Sequence, residues 1–238
     1  EIYTLSLHDA LPISSWTPFP IWTRTSAPCF VRRRDGFSLE VDPLFQERYD
    51  VAVVGGGHAG CEAALAAARM GCRTLMLNLN LDNTAMMPCN PSIGGPAKGH
   101  LTREVSALGG EQARAADAST LMVRWLNTSK GPAVRALRAQ CDPALYGLYY
   151  RRQLLSQPNL DVVQDEAVEL LTRTDGKGRH AAGVLTRYGA RYGARTVVLC
   201  GGVYLGGRVF VGERSFPSGP MGQMPQLEIG RASCRERM

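Results

Sequence analysis

An α/β fold with a mainly parallel sheet is predicted by three features of the 238-residue sequence. The first is an apolar strand, a glycine-rich turn and an alanine-rich helix in the run YDVAVVGGGHAGCEAALAAARMG, residues 49–71. The second is an apolar strand at 73–77, directly after this helix. A strand–helix–strand unit with short connections pairs its two strands in parallel. The third is a series of strand-like segments after Pro158, which predicts a β-meander attached to a Rossmann-like sheet.

The two ends of the chain are expected not to be natural protein sequence. The codons ATC GGA AGA GCG TCG TGT AGG GAA AGA encode residues 229–237, and their reverse complement, read in another frame, encodes residues 5–12. Both ends therefore fit a translated sequencing adapter, and residues 1–13 and 228–238 are expected not to belong to the natural protein. Without them the formal charge changes from +6 to +7. The 45% hydrophobic content of the whole chain excludes a disordered protein.

Residues 14–48 show no clear periodicity and are predicted to be disordered or untranslated in the natural protein. No acidic residue occurs from Ser14 to Arg34, and this stretch ends in three arginines. That pattern fits a mitochondrial transit peptide, and it equally fits upstream DNA read in frame. No apolar run in the sequence reaches the roughly 18 residues of a membrane span.

The later elements follow from local patterns. Residues 78–100 are predicted to form a long loop because proline and glycine recur in them. Helices are predicted at about 100–108, at about 117–128, and from Pro143, which suits a first helical position, to about Gln157. Strands are predicted at 160–164, 166–172, 181–187 and 194–199.

The glycine-rich turn is the strongest functional signal. Gly55, Gly57 and Gly60 form G-x-G-x-x-G between a strand and a helix, which predicts dinucleotide binding at the helix N-terminus. The alternative is a structural glycine turn, and the motif alone does not separate FAD from NAD. The acidic residue that often ends the second strand is absent, so Asn78 or Asn80 is the candidate ribose ligand.

A single cysteine stands in the following loop. Cys89 is a candidate nucleophile or redox thiol, because this loop is predicted at the carboxyl edge of the sheet and Lys98 follows nearby. The alternative is a buried, inert cysteine, as we predict for Cys61, Cys72 and Cys200. The sequence has no C-x-x-C and its histidines are scattered, so no metal site is predicted.

A basic segment, Ser129–Arg138, contains Lys130, Arg135 and Arg138. Two interpretations stay open. It is either a solvated helix face or a contact for phosphate, whether of a cofactor or of RNA.

Three segments together carry a family resemblance. GGGHAGCEAALAAARMG, PCNPSIGGPAKGHLTREVSALGG and NTSKGPAVRALRAQCD, in this order, closely resemble the MnmG (GidA) family over about residues 49–219. The resemblance implies that residues 49–227 are an incomplete FAD-binding domain. It places FAD against Gly55, Gly56, Gly57, His58, Ala59 and Gly60 and against Val168, and it gives Cys89 a role in the chemistry.

The resemblance also implies an activity. The family adds a carboxymethylaminomethyl group to carbon 5 of tRNA wobble uridine 34, with FAD, NADH, methylenetetrahydrofolate and glycine or ammonia. It implies tRNA, an MnmE-type GTPase and a second copy as partners, no membrane, and the bacterial cytoplasm or alternatively the mitochondrion. The fragment itself is expected to be inactive. The alternatives are a folate- and FAD-dependent tRNA uridine-5 methyltransferase, against which the CNPSIGG–KGH loop argues, and a non-catalytic flavin-binding module.

Overall fold

The computed structural model describes residue 45 and residues 47–176 and 178–229. The predicted adapter segment 1–13, nearly all of segment 14–48, and residues 230–238 lie outside the described residues. The described chain divides into two compact units. One comprises residues 89–152, and the other comprises residues 45–88 together with 153–229.

The second unit is built on a six-stranded sheet in the order β6-β2-β1-β9-β8-β7. The first four strands in this order are parallel, and β7, β8 and β9 form an antiparallel meander. The sequence therefore predicted the fold class correctly. The strands are β1 Glu47–Val54, β2 Thr74–Asn78, β6 Leu160–Gln164, β7 Ala167–Asp175, β8 Gly178–Thr186 and β9 Arg191–Leu199.

The helix α1, His58–Arg69, connects β1 to β2 as predicted. Its buried side chains recur every three or four residues, which gives one apolar stripe: Cys61, Ala64, Leu65 and Ala68. Three of the four are small, so the helix can lie close to the sheet. β2 then pairs with β1 from Val51↔Thr74 to Val54↔Leu77.

The hydrophobic core of this unit lies on the sheet. Its buried members come from five strands and from the end of the described chain: Tyr49, Ala52, Val54, Leu75, Leu77, Ala167, Val184, Ala194 and Ile229. A separate antiparallel pair, β10 Arg208–Val211 with β11 Arg214–Pro217, follows the meander.

The first unit combines three strands in the order β3-β5-β4 with helices. Both strand pairs are antiparallel. The strands are β3 Ser92–Gly94, β4 Thr120–Leu126 and β5 Ala136–Cys141, and the helices are α2 Lys98–Ala107 and α3 Gln112–Ser119. Helix α4, Pro143–Ser156, begins at the predicted proline and contains the boundary between the units.

The predicted helix at 117–128 is wrong. Helix α3 ends at Ser119, and the following residues form β4, which pairs with β5 from Thr120↔Cys141 to Leu126↔Ala136. A non-local strand partner therefore overrides the local pattern, as the threonine, valine and tryptophan of TLMVRWL also favour. The loop predicted at 78–100 contains β3 and a 3₁₀ turn at Leu81–Asn83.

The helix-face interpretation of Ser129–Arg138 is also wrong. These residues form the connection from β4 to β5, with a 3₁₀ turn at Pro132–Val134, and the first residues of β5.

Within the described part of the chain, no helix is both long enough and apolar enough to cross a membrane.

Two adjacent leucines test how helix α4 packs against the core. The side chain of Leu154 is 1% exposed, whereas that of Leu155 is 66% exposed. We expect Leu154→Ala to lower the free energy of unfolding by about 2–5 kcal/mol, because it leaves a cavity in the core. Leu155→Ala, the matched control, should change it by about 0.5 kcal/mol or less. Urea denaturation followed by circular dichroism measures both, and equal effects would contradict the burial of Leu154.

Candidate nucleotide-binding site

A cavity of about 340 Å³ opens at the carboxyl ends of β1, β2 and β9. Every lining residue belongs to the second unit. They are Gly55–Ala59, Asn78–Asn80, Asn83, Met86, Pro88, Cys200–Tyr204, Pro220, Gln223 and Gln226. This edge of a parallel α/β sheet is where such folds bind ligands. The volume is at the lower end of the range for ligand sites, which suits one half of a dinucleotide.

Backbone hydrogen bonds hold the glycine turn between the two neighbouring strands. The amide of Gly55 donates to the carbonyl of Leu77 at 2.8 Å, and the amide of Cys200 donates to the carbonyl of Val54 at 2.7 Å. The carbonyl of Gly56 accepts from the amide of Ala85 at 2.8 Å. The turn is therefore held by the end of β2 on one side, by Cys200 after β9 on the other, and by the loop after β2.

The motif glycines meet different steric demands. Gly55 has a φ of +113°, and a Cβ there would overlap the carbonyl oxygen of Cys200. A Cβ on Gly60 would overlap the carbonyl oxygen of Gly55, so this glycine lets α1 approach the strand. Gly57 is different, because nothing lies within 4 Å of a Cβ built there. It lines the cavity, so the missing side chain leaves room for a ligand.

The N-terminus of α1 faces this cavity. Gly57 is the N-cap, no side chain caps the helix, and its first turn has no acidic residue. Since the first amides of a helix lack partners within the helix, they are donors for an anion, and the helix dipole favours negative charge there. The arrangement fits a pyrophosphate.

The described lining of the cavity includes no aspartate, glutamate, lysine or arginine. Its ionisable groups are neutral at pH 7. Burial lowers the pKa of His58 from its ordinary 6.5, and Glu62 opposes this more weakly. Burial raises the pKa of the Cys200 thiol and of the Tyr204 phenol. Negative charge on a ligand would therefore be met by backbone amides and not by side-chain cations.

The two candidate ribose ligands at the end of β2 are in different positions. Asn78 is buried, and its Nδ2 donates to Thr84 Oγ1 at 3.0 Å while its amide group lies where a Cβ of Gly56 would be. Asn80 is exposed, and its Oδ1 accepts from the amide of Asp82 at 2.8 Å. Asn78 therefore supports the turn, and Asn80 is the better placed to offer its amide donors to a ligand.

The far wall of the cavity was not predicted from the sequence. It is formed by Cys200–Tyr204, after β9, and by residues 220–226. The phenol of Tyr204 donates to Gln223 Oε1 at 2.5 Å, and the amide of Gln226 donates to the Tyr204 carbonyl at 2.8 Å. The signal that could have found this wall is the glycine pair Gly201-Gly202 directly after an apolar strand.

The structure brings five predicted cofactor ligands, Gly55 to Ala59, to the cavity, with Gly60 buried behind them. Val168 is the second residue of β7 and is not among the lining residues. Strand β7 follows β6, and the end of β6 pairs with β2 at Asn78↔Gln164. Val168 therefore lies near the carboxyl edge of the parallel strands. Its contact with a cofactor stays a prediction.

The cysteines differ in accessibility. Cys89 belongs to the first unit, where it is exposed in a bend before β3. Burial raises the pKa of Cys61 to about 12, so this thiol stays protonated at neutral pH. Cys200, predicted to be structural, lines the cavity. Among the described cysteines, Cys89 is the exposed one, which suits a reactive thiol.

No group of three or more histidine, cysteine, aspartate or glutamate residues that could hold a metal ion occurs among the described residues.

Comparison with known proteins identifies relatives. The family model described as "Glucose inhibited division protein A" (GidA) matches residues 50–234. This match continues beyond residue 227, after which the adapter-derived segment is expected to begin. That boundary stays a prediction.

Curated relatives carry the name tRNA uridine 5-carboxymethylaminomethyl modification enzyme MnmG. The protein from Caldicellulosiruptor saccharolyticus is 55% identical over 177 residues, which are 74% of this chain and 28% of that protein. The protein from Bacillus subtilis is 52% identical over 182 residues, which are 76% of this chain and 28% of that protein. The chain thus spans little more than a quarter of the length of these relatives.

Solved structures agree with the fold. GidA from Aquifex aeolicus is 41% identical with a TM-score of 0.74, covering 79% of this chain and 31% of that one. The GidA-related protein from Thermus thermophilus is 22% identical with a TM-score of 0.56, covering 79% of this chain and 68% of that one, and supports the fold alone.

Gly60 and Gly57 test the geometry of the turn. We expect Gly60→Ala to lower the free energy of unfolding by about 1–3 kcal/mol, because its Cβ would overlap backbone. Gly57→Ala, with open space around the new methyl group, should change it by about 0.5 kcal/mol or less. Urea unfolding curves measure the difference. Equal stability of the two variants would show that α1 does not approach Gly55 this closely.

Proposed function

The chain belongs to the GidA family, and from that premise we propose that it is the nucleotide-binding part of an FAD-dependent enzyme that modifies tRNA. The full enzyme adds a carboxymethylaminomethyl group to carbon 5 of wobble uridine 34. The observation that carries the proposal is the cavity at the glycine turn, in a chain that is 55% identical over 177 residues to an enzyme named for this modification.

The residues of the cavity fit FAD. Gly57 leaves open space at the helix N-terminus, the helix amides are the donors for the pyrophosphate, and Asn80 is the donor for the ribose. We assign the cofactor contacts to Gly55, Gly56, Gly57, His58 and Ala59, with Gly60 supporting the turn and Val168 meeting the cofactor's edge. When bound, FAD would supply redox chemistry, and NADH would reduce the flavin again. Methylenetetrahydrofolate would supply the one-carbon unit.

Cys89 is the proposed catalytic residue. Its exposed thiol, once deprotonated, would add to carbon 6 of the uridine ring. The new sulfur–carbon bond moves the electrons of the ring double bond toward carbon 5, which becomes nucleophilic. Carbon 5 would then form a bond to the one-carbon unit of methylenetetrahydrofolate. Loss of the original proton from carbon 5, together with departure of the thiolate from carbon 6, would restore the double bond. The amine of glycine would displace tetrahydrofolate from the one-carbon unit and give the carboxymethylaminomethyl group, whereas ammonia in its place would give an aminomethyl group.

The remaining features of the full enzyme are also proposals. They are tRNA as substrate, a second copy and an MnmE-type GTPase as partners, and the bacterial cytoplasm as the site of action. These properties are expected of the full-length protein, since this chain corresponds to 28% of the length of its relatives.

FAD binding tests the cavity directly. We expect the 238-residue chain to quench the fluorescence of added FAD with saturation. Gly57→Ala should weaken binding by about tenfold or more, since its methyl group takes the space for the phosphates, a loss of about 1.4 kcal/mol. Gly176→Ala is the matched control, because its Cβ also meets nothing within 4 Å and it lies outside the cavity. Saturable binding that Gly57→Ala leaves unchanged would overturn the assignment.

Cys89 is tested in a full-length enzyme that contains this sequence. We expect Cys89→Ala to retain FAD and to lower the rate of uridine 34 modification by more than about 10²-fold, because the nucleophile is lost. Cys72→Ala, at a buried cysteine outside the cavity, removes the same atom and should keep activity. Mass spectrometry of nucleosides from the tRNA measures the product. Unchanged modification by Cys89→Ala would reject the nucleophile.

A further inference from the structure

Two arginines of the first unit face each other across a strand pair. Arg124 of β4 and Arg138 of β5 are direct partners in the antiparallel ladder. Side chains of such partners leave the same face of the sheet with Cβ atoms about 4.5–5.5 Å apart, and like charges placed this way repel each other. The fold therefore holds two positive charges together at a cost in stability.

The surroundings do not neutralise this pair. Residues 118–141 contain four cations and no aspartate or glutamate. Within the described part of the chain, neither arginine forms an ion pair with a carboxylate. The two guanidinium groups therefore share a locally positive surface.

The pair is accessible, and one member is oriented. Arg124 is exposed, and Arg138 is partly exposed. Arg138 Nε donates to Ser92 Oγ of β3 at 3.1 Å, which fixes the guanidinium plane and leaves its two terminal nitrogens as donors. Gln140, two residues along β5, lies on the same face and is partly exposed.

The neighbouring cation Arg135 is placed differently. Its guanidinium lies 5.0 Å from the ring centre of Trp125, and Trp125 pairs with Leu137 in the ladder. By the alternation of a strand, Trp125 is on the opposite face from Arg124. Arg124 and Arg138 thus form a separate pair of forked donors, the geometry that matches a phosphate.

We propose that Arg124 and Arg138 form a binding site for a backbone phosphate of RNA. This inference rests on the proposed tRNA-directed function and adds the residues that would hold the substrate. β4 is an edge strand, and most of its side chains are exposed. An open strand surface suits a phosphodiester on a large ligand, whereas small phosphates are usually enclosed in concave sites.

The test measures binding of fluorescein-labelled tRNA to the 238-residue chain by anisotropy, between about 50 and 200 mM KCl. We expect the double variant Arg124→Gln/Arg138→Gln to bind about tenfold or more weakly at low salt. The slope of log affinity against log salt should fall in magnitude by about 1.5–2, since two cations that release counterions are removed. Its thermal unfolding temperature should change little, because removal of the repulsion offsets the loss of the Arg138–Ser92 hydrogen bond.

The control is Arg208→Gln/Arg214→Gln, which removes two exposed arginines from the β10–β11 pair. The two double variants carry the same net charge. Equal loss of affinity and equal salt slopes for both would show general electrostatic attraction and would overturn the site. Absence of tRNA binding by the unmodified chain would also overturn it.

A second measurement separates the sources of phosphate. Inorganic phosphate is titrated into the chain at constant ionic strength. Saturable phosphate binding that disappears in Arg124→Gln/Arg138→Gln, with tRNA affinity unchanged, would assign the site to small phosphates and overturn the RNA assignment. FAD binding is followed in parallel. Its absence from the unmodified chain would count against the proposed function, whereas the salt slope tests the arginine pair alone.

Discussion

The close contact between α1 and the turn at Gly55 is the constraint on which the nucleotide-binding unit depends. A Cβ at Gly60 would overlap the Gly55 carbonyl oxygen, so the helix can begin this close to the strand only with glycine. That approach lets the small residues of α1 pack on the sheet and lets β2 return in parallel beside β1. The same contact points the first amides of the helix at the cavity. Packing and ligand recognition therefore share one set of atoms.

The walls of the cavity come from four separated parts of the chain, and hydrogen bonds join them locally. Asn78 connects the end of β2 to Thr84, and Gln226 is joined through backbone to Tyr204 and Gly206. The wall after β9 and the wall at residues 220–226 thus hold each other, and the loop after β2 is held by Asn78 and by the carbonyl of Gly56. This explains how a site with no described side-chain charge can still have a defined shape.

Much of the parallel sheet was predictable because its signals are local. The glycine motif, the alanine-rich α1 and Pro143 at the start of α4 each specify an element within a short window. The error at 117–128 has a non-local cause, since Thr120–Leu126 becomes a strand through its pairing with β5. The same limit applies to the site. Gly55–Ala59 follow from a motif, whereas Tyr204, Gln223 and Gln226 reach the cavity through tertiary structure that no local spacing encodes.

The neutral lining of the cavity has a consequence for charge balance. His58 stays deprotonated at pH 7, and Cys200 and Tyr204 stay protonated, because burial moves each pKa away from neutrality. At pH 7 the described, unliganded lining therefore carries no side-chain charge. The negative charge of a bound nucleotide would be balanced by backbone dipoles, which do not titrate.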